Sequence, residues 1–328
     1  MNGEPLVFSG RSNEKLAKSV ARYLSIPLGN RFIKLFESNS NRGEIHVEYN
    51  CNLRKRDIVI IQTIFDPVND DLMELLVMID CAKRAKAKNI TVIIPYMGYS
   101  RQDRKDKPRV PITSKLVAGL IGYAGADDAL LINLHAPQIE GFFDIGVDHI
   151  SCTKIMVEEL LKTIGKCPTE DIVMVAPDEG AGKIAKEYRK FVPGSRLAVI
   201  SKTRHSGTNT TSDFIMGEVD GKVCVLVDDL TSTGGTLING AELLMKKGAT
   251  KVYVAVAHGC FINNGKIKSY ENIENSCIEK VLVTNSIDVK KSPKIKIVNL
   301  GKLIGECVLR ANDGRSISDL FSSPEDDE

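Results

Sequence analysis

An apolar run, Val225-Leu226-Val227, leads straight into Asp228-Asp229-Leu230-Thr231-Ser232-Thr233-Gly234-Gly235-Thr236. Two carboxylates at the end of a strand, then hydroxyls and a glycine pair opening a helix, suit a phosphorylated ligand. Ligands of open α/β sheets sit at the carboxyl ends of strands. Gly234 and Gly235 permit a tight backbone whose amides converge on an anion at the helix N-terminus. Ser232, Thr233 and Thr236 add hydroxyl donors. Asp228 and Asp229 do not favour a bare phosphate, so the ligand must also present sugar hydroxyls or a metal. A helix-capping turn with solvated aspartates is the plainer reading of a lone glycine pair, but it leaves the rest of the string unexplained.

Two further segments carry chemistry. Tyr99-Ser100-Arg101-Gln102-Asp103-Arg104-Lys105-Asp106-Lys107-Pro108-Arg109 packs five basic residues between Arg101 and Arg109, just after a strand and Gly98. Guanidinium groups beside a glutamine suit a nucleoside triphosphate, through bidentate phosphate bonds and hydrogen bonds to base or ribose. Basic runs are more often solvated loops or nucleic-acid patches, but the interleaved Asp103 and Asp106 count against an RNA or DNA groove. In the second segment, Asn133-Leu134-His135-Ala136-Pro137-Gln138, His135 leaves a strand at its carboxyl end. A single histidine in such a place is by itself more often structural than a ligand.

Short β-branched runs alternating with helix-period segments position these loops. Strands are expected at Ile58–Ile61, Ile90–Pro95, Ala129–Leu134, Ile172–Ala176, Leu197–Ile200, Val223–Val227, Val252–Ala257 and Val281–Val283. Helices are expected at Leu72–Lys86, with Asn69, Asp70 and Asp71 as cap residues, at Ser114–Tyr123 and Thr153–Thr163, and from about Lys183, Thr236 and Ile267. Strands this apolar, alternating with helices, predict parallel sheets covered on both faces. The rhythm runs twice, so the 328 residues divide into two α/β domains, residues 1–150 and 151–328. The acidic tail from Ser322 reads as frayed.

Composition excludes several classes. Lys plus Arg number 44 against 42 Asp plus Glu, and neither part of the chain carries the charge of a general nucleic-acid binder. Aromatics are 5% with no Trp, which leaves no stacking platform. The eight cysteines form no Cys-x-x-Cys pair and read as reduced, mostly buried thiols. Without a signal-peptide pattern or a membrane-length apolar run, the expectation is a cytoplasmic protein with no membrane partner.

The string from Val225 to Thr236 resembles the phosphoribosyl-pyrophosphate loop shared by type I phosphoribosyltransferases and ribose-phosphate pyrophosphokinases. The segments around Arg101 and His135 resemble the nucleotide loop and signature segment of class I ribose-phosphate pyrophosphokinases. The similarity continues through Ser9-Gly10, Asp70-Asp71-Leu72-Met73-Glu74-Leu75-Leu76 and Val281-Leu282-Val283-Thr284-Asn285, and so covers essentially the whole chain. It implies an α/β fold of two tandem phosphoribosyltransferase-like domains, each a mostly parallel sheet flanked by helices, with the last helix able to pack back on the first domain. It also implies transfer of the β,γ-diphosphoryl group of ATP to the anomeric hydroxyl of ribose 5-phosphate, with AMP leaving.

Residue by residue, the resemblance assigns ATP to Arg42, Gly43, Glu44, Arg101, Gln102, Asp106 and Arg109. Ribose 5-phosphate falls to Arg204, Asp228, Asp229, Ser232, Thr233, Gly234, Gly235 and Thr236. Lys202 and Arg204 match the catalytic basic pair, and His135 and Asp178 match ligands of Mg2+. A homo-oligomer, hexameric by resemblance, or a hetero-oligomer with paralogues is implied, with Asn52, Arg54, Ser316 and Ser318 near a regulatory site between subunits. The chain departs from the family at Asn133 and Ser232, both usually Asp, at Arg42, usually Asp or Asn, at Gly146, usually Pro, and at Pro108. Asn133, Arg42 and Ser232 support an alternative, a non-catalytic paralogue that assembles with an active enzyme. A plain type I phosphoribosyltransferase is the other alternative, against which the ATP-type first domain stands.

Overall fold

The computed structural model describes residues 4–36, 43–204, 211–264 and 267–322, and of residues 35–36, 202–204, 211–213, 263–264 and 267 the backbone alone. Contacts divide the chain into two units: Met1–Ser151 with Ser286–Asp288 and Asn299–Leu320, and Cys152–Asn285 with Val289–Val298 and Phe321–Glu328.

The first unit runs β1 (Leu6–Ser9), α1 (Glu14–Tyr23), β2 (Arg31–Phe36), β3 (Glu44–Tyr49), β4 (Asp57–Ile61), α2 (Val68–Arg84), β5 (Asn89–Ile94), α3 (Thr113–Ala124), β6 (Asp128–Ile132) and β7 (Gly146–Ile150). Five strands form a parallel sheet in the order β1-β4-β5-β6-β7, and β2 and β3 form a separate antiparallel ladder. Alternate residues of the strands (Ile58, Ile60, Val92, Ile94, Leu131) face Leu75, Met78 and Ile79 of α2 and Val117 and Ile121 of α3. Their neighbours Val59, Ile61, Ile93 and Leu130 are buried as well, which is why these strands read as unbroken apolar runs.

The second unit holds α4 (Thr153–Ile164), β8 (Ile172–Ala176), α5 (Gly182–Lys190), β9 (Arg196–Arg204), β10 (Thr211–Met216), β11 (Val223–Thr231), α6 (Gly235–Lys246), β12 (Lys251–Gly259), β13 (Asn263–Asn264), β14 (Ile267–Lys268), α7 (Ser269–Glu274), β15 (Lys280–Thr284) and β16 (Ile295–Val298). Its seven-stranded sheet has the order β10-β9-β8-β11-β12-β15-β16 and is parallel except at the β9–β10 edge. The final helix, α8 (Gly301–Asp313), belongs to the first unit and packs on α1. Their approach is close enough that a Cβ on Gly305 would lie 2.4 Å from the ring of Tyr23. The fold is therefore α/β with two tandem, mostly parallel sheets flanked by helices. No helix among the described residues is long and apolar enough to cross a membrane.

Several boundaries differ from the sequence expectation, each for a local reason. Helix α2 begins at Val68 rather than Leu72, because Pro67 sets the N-cap; Asn69, Asp70 and Asp71 lie in the first turn and do not cap it. The Asp71 carboxylate instead accepts from the Phe65 amide at 3.1 Å. Strand β6 stops at Ile132, two residues early, where Asn133 turns to φ 42°. Strand β11 runs past Val227 to Thr231, because β12 continues beside it and pairs Asp228 with Val256 and Leu230 with His258. The segment from Ile267 first forms β14, and its helix starts at Ser269. All eight cysteines are free thiols; Cys152, Cys224, Cys260 and Cys307 are buried, whereas Cys51 and Cys277 are exposed.

Candidate functional site

The second sheet contains one reversal of strand order. The chain steps from β8 out to β9 and β10, then crosses to the other side of β8 to make β11. Such a switch point opens a crevice at the carboxyl ends of the two strands that flank it. Here β11 pairs with β8 only as far as Leu226 with Val175, so Asp228 to Thr231 continue with β12 alone. The loop after β8 carries Asp178 on the other side of that gap. Asp178 is exposed, and its Oδ1 accepts from the Ala181 amide at 3.1 Å, which leaves Oδ2 for a ligand. Lys202 and Arg204 lie on the last residues of β9, the other neighbour of β8, and their side chains are outside the described residues. The sheet thus brings the Asp178 loop, the aspartate pair and the backbone of Lys202 and Arg204 to one edge.

Burial, then the neighbouring Asp229 carboxylate and more distantly that of Asp178, raise Asp228 well above the usual carboxylate range. Both aspartates are locally oriented: Asp228 Oδ1 accepts from the Asp229 amide at 2.9 Å, and Asp229 Oδ1 from the Leu230 amide at 2.8 Å. The following loop turns at Gly234, whose φ of 79° suits glycine, and α6 starts without a side-chain cap or an acid in its first turn. Thr233 Oγ1 accepts from the Gly235 amide at 3.3 Å. The carbonyl of Ser232 accepts from the Ile262 amide at 2.8 Å and the Ser269 hydroxyl at 3.4 Å, so the loop backbone is fixed. An uncapped, positively poled helix start next to acceptor carboxylates can hold a phosphate and the hydroxyls of the sugar that bears it.

In the first unit the strands follow one another in a single direction, so loops must shape the site. Gly43 and Glu44 line a groove of about 810 Å³ with Asp66, Pro67, Asn69 and Asp70 at the start of α2. The Tyr99 hydroxyl bonds Asn69 Oδ1, which brings the start of the basic loop to this groove. Arg101, Arg104, Lys105, Lys107 and Arg109 are exposed, and among the described residues no carboxylate pairs with them. Gln102 is partly committed: its side-chain oxygen accepts from the Thr113 hydroxyl at 2.6 Å and its carbonyl from the Ser114 amide at 3.2 Å. Its amide NH2 remains as a donor for a ligand. Asp106 is exposed, and Arg42 lies outside the described residues. His135 is exposed on the loop after β6, and Gln138 of that loop donates to Asp103 Oδ2 at 2.9 Å, which joins it to the basic loop.

A metal ion fits these donors in part. Among the described residues no three His, Cys, Asp or Glu side chains are grouped to cage one. The exposed carboxylate of Asp178, with Oδ2 not engaged by the Ala181 amide, is the kind of oxygen donor that Mg2+ takes, whereas the exposed imidazole of His135, in the other unit, is not. Sequence reasoning missed Glu179, which accepts from the Ser201 hydroxyl at 3.0 Å and so ties the loop after β8 to β9. It also missed the Gln138–Asp103 bond, which spans 35 positions and joins two segments that the sequence reads separately.

Fold and site together define a tandem-sheet α/β protein with an aspartate pair and a glycine-turned loop at the switch point of its second sheet. The N-terminal domain of ribose phosphate pyrophosphokinase matches residues 6–125, and the phosphoribosyl synthetase-associated domain matches residues 198–322. The chain is 42% identical over 321 residues to the ribose-phosphate pyrophosphokinase of Thermotoga maritima, covering 98% of this chain and 99% of the relative. It is 39% identical to that of Aquifex aeolicus, over 98% of this chain and 100% of the relative. The crystal structure of phosphoribosylpyrophosphate synthetase from Mycobacterium smegmatis superimposes with a TM-score of 0.86 at 33% identity, covering 95% of this chain and 99% of that one. The chain belongs to the ribose-phosphate pyrophosphokinase family and is an enzyme of that family.

Proposed function

We propose that the chain transfers the β,γ-diphosphoryl group of ATP to the anomeric hydroxyl of ribose 5-phosphate, giving phosphoribosyl pyrophosphate and AMP. The observation that carries the reading is the crevice at the β8–β11 switch point. There, carboxylates that can accept from sugar hydroxyls stand immediately before an uncapped helix that can hold the 5-phosphate. Asp228 and Asp229 take the ribose hydroxyls, and Ser232, Thr233, Gly234, Gly235 and Thr236 hold the phosphate. ATP lies in the first domain, residues 1–150. The acceptor-rich groove at Gly43, Glu44 and Asp70 suits its base amine and ribose, and Arg101 and Arg109 take its phosphates. Ribose 5-phosphate lies in the second, residues 151–328.

The anomeric hydroxyl attacks the β-phosphorus in line, and positioning with charge neutralisation does most of the work. Lys202 and Arg204 stabilise the charge that develops on the transferred group. Asp178 and His135 are the residues that would each offer Mg2+ a ligand, and the ion would supply further charge neutralisation. Asn133 is compatible with activity: its φ of 42° is a conformation that Asn adopts about as readily as the Asp usual there. The enzyme is cytoplasmic and works as an oligomer. Asn52 and Arg54, joined by a 3.0 Å bond, and Ser316 and Ser318, whose hydroxyls are 2.7 Å apart, serve a regulatory site. Purified chain with ATP, Mg2+ and ribose 5-phosphate is expected to form AMP without an added partner. Absence of AMP, restored by a second protein, would leave the non-catalytic paralogue.

A further inference from the structure

The face of the first sheet that turns away from α2 and α3 is not filled by its cover. Register pairs Asp57 with Asn89, Val59 with Thr91, Thr91 with Asp128, Ile93 with Leu130 and Leu130 with Asp148. Alternation therefore puts all of these side chains on that one face. Helix α8 lies over part of it. Its glycines face α1, where a Cβ on Gly301 would lie 2.1 Å from Ser19 Oγ. Toward the sheet it presents Cys307, Val308 and Ala311, none larger than valine. Side chains of that size leave a cavity of about 450 Å³, lined wholly by residues of the first unit. Its floor is apolar, made by Val59, Ile93, Leu130, Cys307 and Val308, all buried.

The rim is polar and negative. Asp57 pairs with Lys88 at 3.1 Å, and Asn89 Nδ2 donates to Thr91 Oγ1 at 3.1 Å and Asp128 Oδ2 at 3.3 Å. A Cβ on Gly146 would lie 2.7 Å from Asp128 Oδ1, so the missing side chain leaves that oxygen open. Asp148 is the diagonal neighbour of Asp128 on β7. Among the described residues neither its carboxylate nor the side chain of Asn312 has a partner. Burial and the Asp128 carboxylate raise Asp148 above the usual carboxylate range. Three carboxylates against one ammonium leave the rim two charges below neutral.

We propose that this cavity binds a small aliphatic amine, its methylene stem on the floor between Leu130 and Val308 and its ammonium on Asp148 and Asp128. Small-molecule sites are cavities of about 300–1,000 Å³ with apolar walls and a few convergent polar groups. An ammonium brings three donors and no acceptor, which matches Asp148, Asp128 Oδ1 and the side-chain oxygen of Asn312. An anion would meet two carboxylates with no counter-charge. Asp57, Asn89 and Asp128 open β4, β5 and β6, whereas the basic loop follows the carboxyl end of β5. The amine therefore sits at the opposite end of the strands from the candidate ATP loops.

Calorimetric titration of the full chain with pentylamine tests this, with pentanol and ethylamine as probes that lack the charge or the stem. One pentylamine per chain is expected, bound about tenfold more tightly than either probe. Ala311→Phe, at an exposed position of α8, should fill the mouth and weaken pentylamine about tenfold or more. Asp148→Asn should weaken it about fivefold, the upper range for a partly exposed ion pair. Asp70→Asn, in the acidic groove at the start of α2, should leave it unchanged. Melting curves confirm that each variant is folded, and Asp148→Asn decides alone if Ala311→Phe is not. The proposal is overturned if pentylamine binds no better than pentanol or ethylamine. It is overturned equally if either folded cavity variant binds like the parent, or if Asp70→Asn loses as much affinity as Asp148→Asn.

Discussion

Ser201 donates its hydroxyl to Glu179 Oε1 across 3.0 Å, tying β9 to the loop that leaves β8. Ser201 is buried and stands immediately before Lys202, whereas Glu179 follows Asp178. One bond therefore links the strand end that carries the basic pair to the loop that carries the candidate metal carboxylate. Glu179→Ala should cost about 1 kcal/mol of stability, the usual net value of such a bond. It should lower kcat on the order of tenfold, because misplacing reacting groups by even an ångström is costly. Steady-state kinetics with a melting curve check both; unchanged kcat would remove the positioning role.

Charge at the transition state gives a second expectation. Lys202→Ala should lower kcat on the order of a hundredfold or more and change ATP affinity much less, as loss of a transition-state contact does. If ATP affinity collapses while turnover survives, Lys202 binds the ground state and the assignment fails.

Asp71 predicts a pH dependence of stability. It is 8% exposed, and burial, opposed by the Phe65 amide and reinforced by Glu74, pushes it from 3.8 up to about 7. The folded chain then holds a proton here that the unfolded chain has lost between these two values. This carboxyl's contribution to stability is full below about pH 4, declines as pH rises, and is lost above about pH 7. Asp71→Asn keeps an acceptor for Phe65 and carries no charge. It should stabilise the protein at pH 8, by about 4 kcal/mol at the ceiling set by about 1.4 kcal/mol per pH unit. The advantage should shrink toward pH 4. Urea melts at both pH values check this, and an advantage that grows toward acid would contradict it.

The parts legible in sequence were those whose burial is two-sided. Ile58-Val59-Ile60-Ile61 reads as a strand because both its faces are covered. Strand β7, Gly146-Val147-Asp148-His149-Ile150, and the edge strand β10 offer no such run, and the ladder of β2 and β3 depends on pairing rather than composition. The string from Asp228 to Thr236 marks a candidate phosphate site through residue type alone. Its opening does not: β11 runs on to Thr231 because β12 outlasts β8 as its partner, and only three-dimensional pairing decides that. The Glu179–Ser201 bond spans 22 positions and carries no local signature.

On the proposed reading, Ser232 presents a hydroxyl rather than a carboxylate to a dianionic phosphate. Replacing Ser232 by Asp should leave affinity for ribose 5-phosphate unchanged or reduce it, with repulsion of about 1 kcal/mol or less for a partly solvated pair. Added salt should shrink the difference. Calorimetric titrations at two salt concentrations check it, and a clear gain in affinity would mark Ser232 as a lesion in the phosphate loop.

Phosphorus-31 NMR of the reaction catalysed by the purified chain tests the central claim most directly. With ATP, Mg2+ and ribose 5-phosphate, and no nucleobase or second protein, the account predicts equal amounts of AMP and a sugar carrying a diphosphate at its anomeric carbon. Formation of ADP with a sugar monophosphate ester, a requirement for a nucleobase, or no turnover at all would contradict it.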